Sequence, residues 1–221
     1  RARARLALPL ELRNQTARLA IENENSAGAV QLTDSGDIER RVGIVSASNE
    51  ENRQPFLSDV YYLERALAPY AEIRKGAIAD LIAQQVAVLV LADVGKIAGS
   101  DAALVAKFVE GGGVLIRFAG TRMASEADDL VPVHLRSGGR TLGSAMAWSA
   151  PQHLAPFAGT SIFAGLEIPP EVTVSRQILA EPSIDLLSLA WARLADGTPL
   201  VTAAGRGRGW IVLFHVTAGP A

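Results

Sequence analysis

The stretch Val86–Gly120, VAVLVLADVGKIAGSDAALVAKFVEGGGVLIRFAG, constrains the fold more than any other part of the chain. VAVLVLA is an unbroken apolar run rich in β-branched residues and too short to cross a bilayer, as expected of a strand buried on both faces. Ser100 is placed to cap a helix N-terminus, with Asp101 at the positive end of its dipole. Leu104, Val105, Phe108 and Val109 repeat at helical spacing and predict one apolar stripe. Gly111–Gly113 ends that helix and VLIRF resumes as a strand. The whole is one βαβ unit, whose crossover is expected to be right-handed.

The alternation extends upstream. VGIVSAS reads as a second buried strand. A helix from about Phe56 to Ala68 follows, with Val60, Leu63 and Leu67 on one face and Pro69 at its end. AEIRKG is a short strand, and Ala77–Gln84 a short helix with Ile78, Leu81 and Ile82 inward. The order β-α-β-α-β-α-β from Val42 to Phe118 predicts an α/β fold: a flavodoxin-like, doubly wound, mostly parallel sheet. Past Gly120, RMASEADDL predicts one more helix, with Asp128-Asp129 on its solvated face. VPVHLRSGGRTLGSAMAW predicts a hairpin about Ser-Gly-Gly. Pro151–Pro170 reads as mostly irregular, and VTVSRQILAE as a strand. LSLAWARLADG, TPLVTAAGRGRG and WIVLFHV predict an antiparallel meander at a sheet edge.

Residues 1–40 alternate apolar and polar and predict an N-terminal β appendage, either part of this domain or the tail of a preceding β-rich one. Residues 41–221 form the α/β domain, with a divergent β and loop insertion at about 131–180. The apolar fraction of 49% and mean hydropathy of +0.21 call for a sizeable buried core. A net charge of −2 gives no field to draw nucleic acid or anionic membrane. The chain has no cysteine, which removes disulfides, a thiol nucleophile and thiolate metal sites. It begins with Arg1 and shows no signal peptide, so it reads as a piece of a longer polypeptide.

Open α/β sheets bind ligands outside the carboxyl ends of their strands, where the strand order reverses. Ser46, Ser48 and Asn49 leave the VGIV strand there, Asp93 leaves VLVLA, and Thr121 and Arg122 leave VLIRF. With His215 at the last strand's end, they form the candidate ligand site. His134, His153 and His215 show no metal-ligand spacing, so neither a metal nor a cofactor is expected. EGGGV sits at a helix C-terminus and GRGRGW joins two strands, neither a phosphate cradle.

VLVLADVGKI, then KFVEGGGVLIRFAG, resembles the central unit of class I glutamine amidotransferase-like domains, and most of all their trehalose-utilisation (ThuA-like) branch. TPLVTAAGRGRGWIVLFHVT resembles that branch's closing hairpin. The family's cysteine stands on an elbow directly after the strand matched by VLIRF. Here that elbow reads Phe118-Ala119-Gly120-Thr121, so no catalytic residue is assigned. LPLELRNQTARLAIENENSAGAVQL, FLSDVYYLERALAPYAEIRKG and VTVSRQILAE also resemble a segment of large bacterial membrane proteins with a BatA-like N-terminal region. These resemblances imply a non-catalytic domain for ligand binding or scaffolding, in a membrane-associated protein and on its extracytoplasmic, periplasmic side. The expected partners are other domains of the same chain, a protein, or a small molecule. Two alternatives stand beside this. One is a ThuA-like hydrolase or carbohydrate-modifying enzyme, which requires His215 and Thr121 to share a cavity. The other is a structural spacer, in which Pro151–Pro170 fills the crevice.

Overall fold

The computed structural model describes residues 16–32, 40–46, 58–125, 128–141, 151–159 and 161–219. The candidate residues Ser48 and Asn49 lie outside them. Within the stretch read as a β appendage, β1 (Arg18–Ala20) and β2 (Val30–Leu32) pair antiparallel.

The apolar runs become the strands of one seven-stranded sheet. In chain order these are β3 (Arg41–Ser46), β4 (Glu72–Lys75), β5 (Val88–Ala92), β6 (Val114–Phe118), β11 (Ala190–Arg193), β12 (Pro199–Arg206) and β13 (Gly209–Phe214). In space the order is β11-β12-β13-β6-β5-β3-β4. β13, β6, β5, β3 and β4 are mutually parallel, while β12 and β11 add an antiparallel edge. β5 and β6 lie side by side in register, from Val88 against Val114 to Ala92 against Phe118. The chain steps outward from β3 to β4 and returns on the other side of β3 to β5, so the switch point lies between β3 and β5.

Helices cover both faces because the strands alternate. Val42, Ile44, Val90 and Ala92 face α1 (Asp59–Leu67), which contributes Val60 and Leu63. Leu89, Leu91 and Leu115 face α2 (Ile78–Ala83) and α3 (Gly99–Glu110). Within α3, Val105 and Val109 are buried, whereas Leu104 of the predicted stripe is exposed. The N-cap of α3 is Ala98 and no side chain caps it, so Ser100 lies two residues too far in to act as predicted. The turn between β12 and β13 packs on the C-terminus of α3. There Arg208 donates its backbone N–H to Glu110 O and its guanidinium to Gly111 O. A side chain on Gly209 would collide with the Val109 and Gly113 carbonyls. The Gly-Arg repeat therefore closes a helix end.

Beyond β6 the sequence is less informative. α4 (Thr121–Ser125) is short. The Ser-Gly-Gly expected to turn a hairpin runs straight through β7 (Leu135–Thr141), which pairs with β10 (Arg176–Ala180). A distant partner strand prevailed over a local turn signal. The proline-rich stretch contributes β8 (Gln152–His153), paired with β9 (Thr173–Val174), and an isolated bridge from Leu154 to Leu194. Its Leu154, Phe157 and Phe163 pack against Leu194, Val201 and Val212. It thus covers the antiparallel end of the sheet instead of entering the crevice, as the spacer reading requires.

Candidate functional site

At the strand ends around the switch point, the carboxylates of Asp93 and Asp59 bond within the chain. Asp93, directly after β5, has φ of +46°, a left-handed conformation that aspartate tolerates better than most residues. Its backbone N–H donates to Phe118 O at 3.1 Å. Its carboxylate accepts from the N–H groups of Gly120 at 3.0 Å, Met123 at 3.3 Å and Arg122 at 3.4 Å. Asp93 is therefore the N-terminal cap of α4, supplied from another strand. Gly120 permits this approach, since a Cβ there would collide with the Asp93 carboxylate. Asp93→Ala is expected to cost about 1–2 kcal/mol in urea unfolding, and Gly120→Ala at least as much.

Thr121 and Arg122 are exposed on α4, and Ser46 is half-buried at the end of β3, level with Ala92 of β5. A residue outside the predicted set, Asp59, joins them at the first turn of α1. Ser58 caps that helix, its Oγ accepting from Val60 N–H at 3.3 Å. The chain after β13 passes back across the strand ends, so that Ala218 packs on the α1 face and Gly219 N–H bonds the Asp59 carboxylate. Burial, then the charge of Asp93, raises the Asp59 pKa, and the Gly219 bond only partly offsets them. A raised carboxyl pKa contributes stability below the unfolded value that is lost as pH rises through the folded one. Ionised Asp59 is thus unfavourable at neutral pH. Asp59→Asn, which keeps an acceptor for Gly219, is expected to raise Tm at pH 7 and to lose that advantage in acid.

His215 is fully buried. Its Nδ1 lies 2.8 Å from Ile178 O and its Nε2 3.0 Å from Thr202 Oγ1. A carbonyl can only accept, so Nδ1 carries the proton and Nε2 accepts from the Thr202 hydroxyl. The ring thus makes two bonds and joins β10 to β12. Ile178 N–H returns a bond to His215 O at 2.8 Å. Thr121 is exposed and His215 has no exposed surface, so the shared cavity required by the enzyme reading is not formed.

Arg117 of β6 and Asp128 form a second polar cluster, with side-chain exposures of 0% and 7%. Nη1 meets Asp128 Oδ1 at 2.6 Å and Leu130 O at 3.2 Å, while Nη2 meets Val94 O at 3.0 Å and Gly95 O at 2.8 Å. Asp128 also accepts from Ile97 and Leu130 N–H. The pair pins the loop after β5, so Asp128 is not on the solvated face predicted for it. Among the described residues, no three His, Cys, Asp or Glu side chains are grouped to hold a metal ion. No helix among them is long and apolar enough to cross a membrane.

Neither a protein-family model nor a curated protein matches the chain. Solved structures do. A cytoplasmic protein from Salmonella typhimurium is similar over 82% of this chain and 89% of its own, at 12% identity and a TM-score of 0.56. The likeness is one of fold. A β-galactosidase from Rahnella sp. R3 is similar over 80% of this chain but 28% of its own, at 14% identity and TM-score 0.55. One from Bacillus circulans sp. alkalophilus covers 82% and 29%, at 13% identity and TM-score 0.53. The chain therefore spans less than a third of either β-galactosidase, and identities this low carry no site across.

Two grooves open at the antiparallel end of the sheet. One, of about 480 Å³, lies over β11 between Pro156–Ser161 and Leu187–Ser188. The other, of about 450 Å³, lies beside it under Leu166 and Pro169-Pro170 and shares Pro156 and Phe157. No predicted site residue lines either. Their walls come from the proline-rich segment, whose periodicity carries no signal.

Proposed function

We propose that the chain is a non-catalytic amidotransferase-like α/β domain, serving in ligand binding or as a scaffold between domains or proteins. The observation that carries this reading is the engagement of the polar groups at the strand ends. The Asp93 carboxylate holds three backbone N–H groups of the elbow, and both His215 nitrogens bond within the protein. The elbow itself offers Ala119 and Gly120 where the resembled family has its nucleophile. Its place in a larger membrane-anchored bacterial protein, on the extracytoplasmic side, rests on the sequence resemblance.

One observation favours a second reading, a carbohydrate-active enzyme: Asp59 and Asp93 are electrostatically coupled carboxylates at the switch point, and that of Asp59 holds its proton more tightly than usual. Glycoside hydrolysis uses a pair of carboxyl groups that flank the bond it breaks. The purified chain is assayed for ammonia release from glutamine and for hydrolysis of a panel of aryl glycosides. No turnover above buffer is expected. Turnover that disappears in Asp59→Asn or Thr121→Ala would overturn the non-catalytic reading.

A further inference from the structure

The groove over β11 has the composition of a binding site for a small organic acid. It is lined by Ala190, Trp191 and Ala192 of β11 and by the apolar side chains of Phe157 and Leu187. Its volume, about 480 Å³, falls in the range of small-molecule pockets. Among the described residues, Arg193 is the single ionisable one lining it. One guanidinium nitrogen, Nη2, donates to Leu187 O at 3.0 Å, which anchors the side chain beside the groove. Among the described residues Arg193 has no carboxylate within ion-pair distance, unlike Arg41, Arg117 and Arg206. The groove thus offers a positioned cation beside an aromatic and aliphatic surface, with no acid in its lining to oppose an anion.

Backbone recognition is less suited to this place. β11 is a terminal strand, but its outer edge is already bonded: Arg193 O accepts from Ala155 N–H and Trp191 O from Ser161 Oγ. The chain caps its own edge, so an added strand would find few groups to pair. What remains open is side-chain chemistry.

We propose that this groove binds a small carboxylate with an aromatic or branched aliphatic body. The carboxylate takes the guanidinium fork of Arg193, and the body lies against Trp191, Phe157 and Leu187. The site is four strands from the switch-point crevice, roughly 19 Å at the usual strand spacing, so it stands independently of the reading above.

Phenylacetate and 4-methylvalerate are the probes, with phenylacetamide as the uncharged match. Binding is followed by tryptophan fluorescence, since Trp191 lines the groove and its ring lies 5.4 Å from that of Trp210. Backbone amide shifts by NMR locate the site. Saturable binding of the acids is expected, with shifts centred on residues 155–161 and 187–193 and the amide at least about tenfold weaker. Arg193→Gln, at an exposed position, is expected to weaken the acids about tenfold without changing Tm, and Arg193→Lys to fall between. Absence of saturation up to tens of millimolar overturns the proposal. So does equal binding of acid and amide, or binding unaffected by Arg193→Gln.

Discussion

Arg117→Met is expected to destabilise the protein by about 3–5 kcal/mol, the usual penalty for breaking a buried ion pair. In a chain of this length that lowers Tm by about 10 °C. The substitution removes no large volume. It strips the partner from Asp128, which is almost wholly enclosed, and from the carbonyls of Val94, Gly95 and Leu130. Asp128→Ala is expected to be similarly damaging, because it leaves a buried guanidinium without its counter-charge and the N–H groups of Ile97 and Leu130 without their acceptor. Apolar replacement of the two partners together, harmless for some buried pairs, should not rescue this one, because the backbone groups stay orphaned. Calorimetry of the two single variants and the double variant checks this. Losses below about 1 kcal/mol would mean that the loop after β5 is held by other means.

The second large effect is loss of stability in acid through His215. Burial pushes its pKa down from 6.5 to about 4, against the opposing bond to Ile178 O. The unfolded chain binds a proton near pH 6.5, while the folded imidazole resists it until about pH 4. The stability from a neutral His215 is therefore complete above pH 6.5 and falls as pH drops through that window. The loss is about 2 kcal/mol at pH 5 and approaches 3 kcal/mol below pH 4. Other groups titrate there too, so the measurement is the difference in urea-unfolding free energy between the parent and His215→Gln. The variant is expected to be weaker at pH 7.5 and to close the gap by pH 4.5. A gap independent of pH would show that the ring accepts a proton equally well in both states.

The elements legible in the sequence are those whose signal is local. VAVLVLA and VLIRF stand as neighbouring parallel strands, and Val60, Leu63, Ile78 and Leu81 are buried as their spacing requires. The candidate site was legible only as a location. Asp93, Ser46, Thr121 and Arg122 do lie at strand ends around the switch point, but Asp93 is engaged by an elbow 27 residues away. Asp59, which meets it there, carries no motif beyond a helix start. The grooves at the other end of the sheet depend on how prolines and aromatics of an aperiodic segment settle on β11, and no pattern in that segment announces it.

Between residues 41 and 118 the sequence alone set the order of strands and helices and most of the faces they bury, and it set the absence of a thiol at the elbow, because side-chain period and residue identity are properties of the chain alone. Tertiary structure decided which polar group meets which. The cap of α4, the enclosure of Arg117, the two bonds of His215 and the pairing of Ser137-Gly138-Gly139 into a strand all join residues far apart along the chain. A buried donor or acceptor must find a partner wherever the fold brings one.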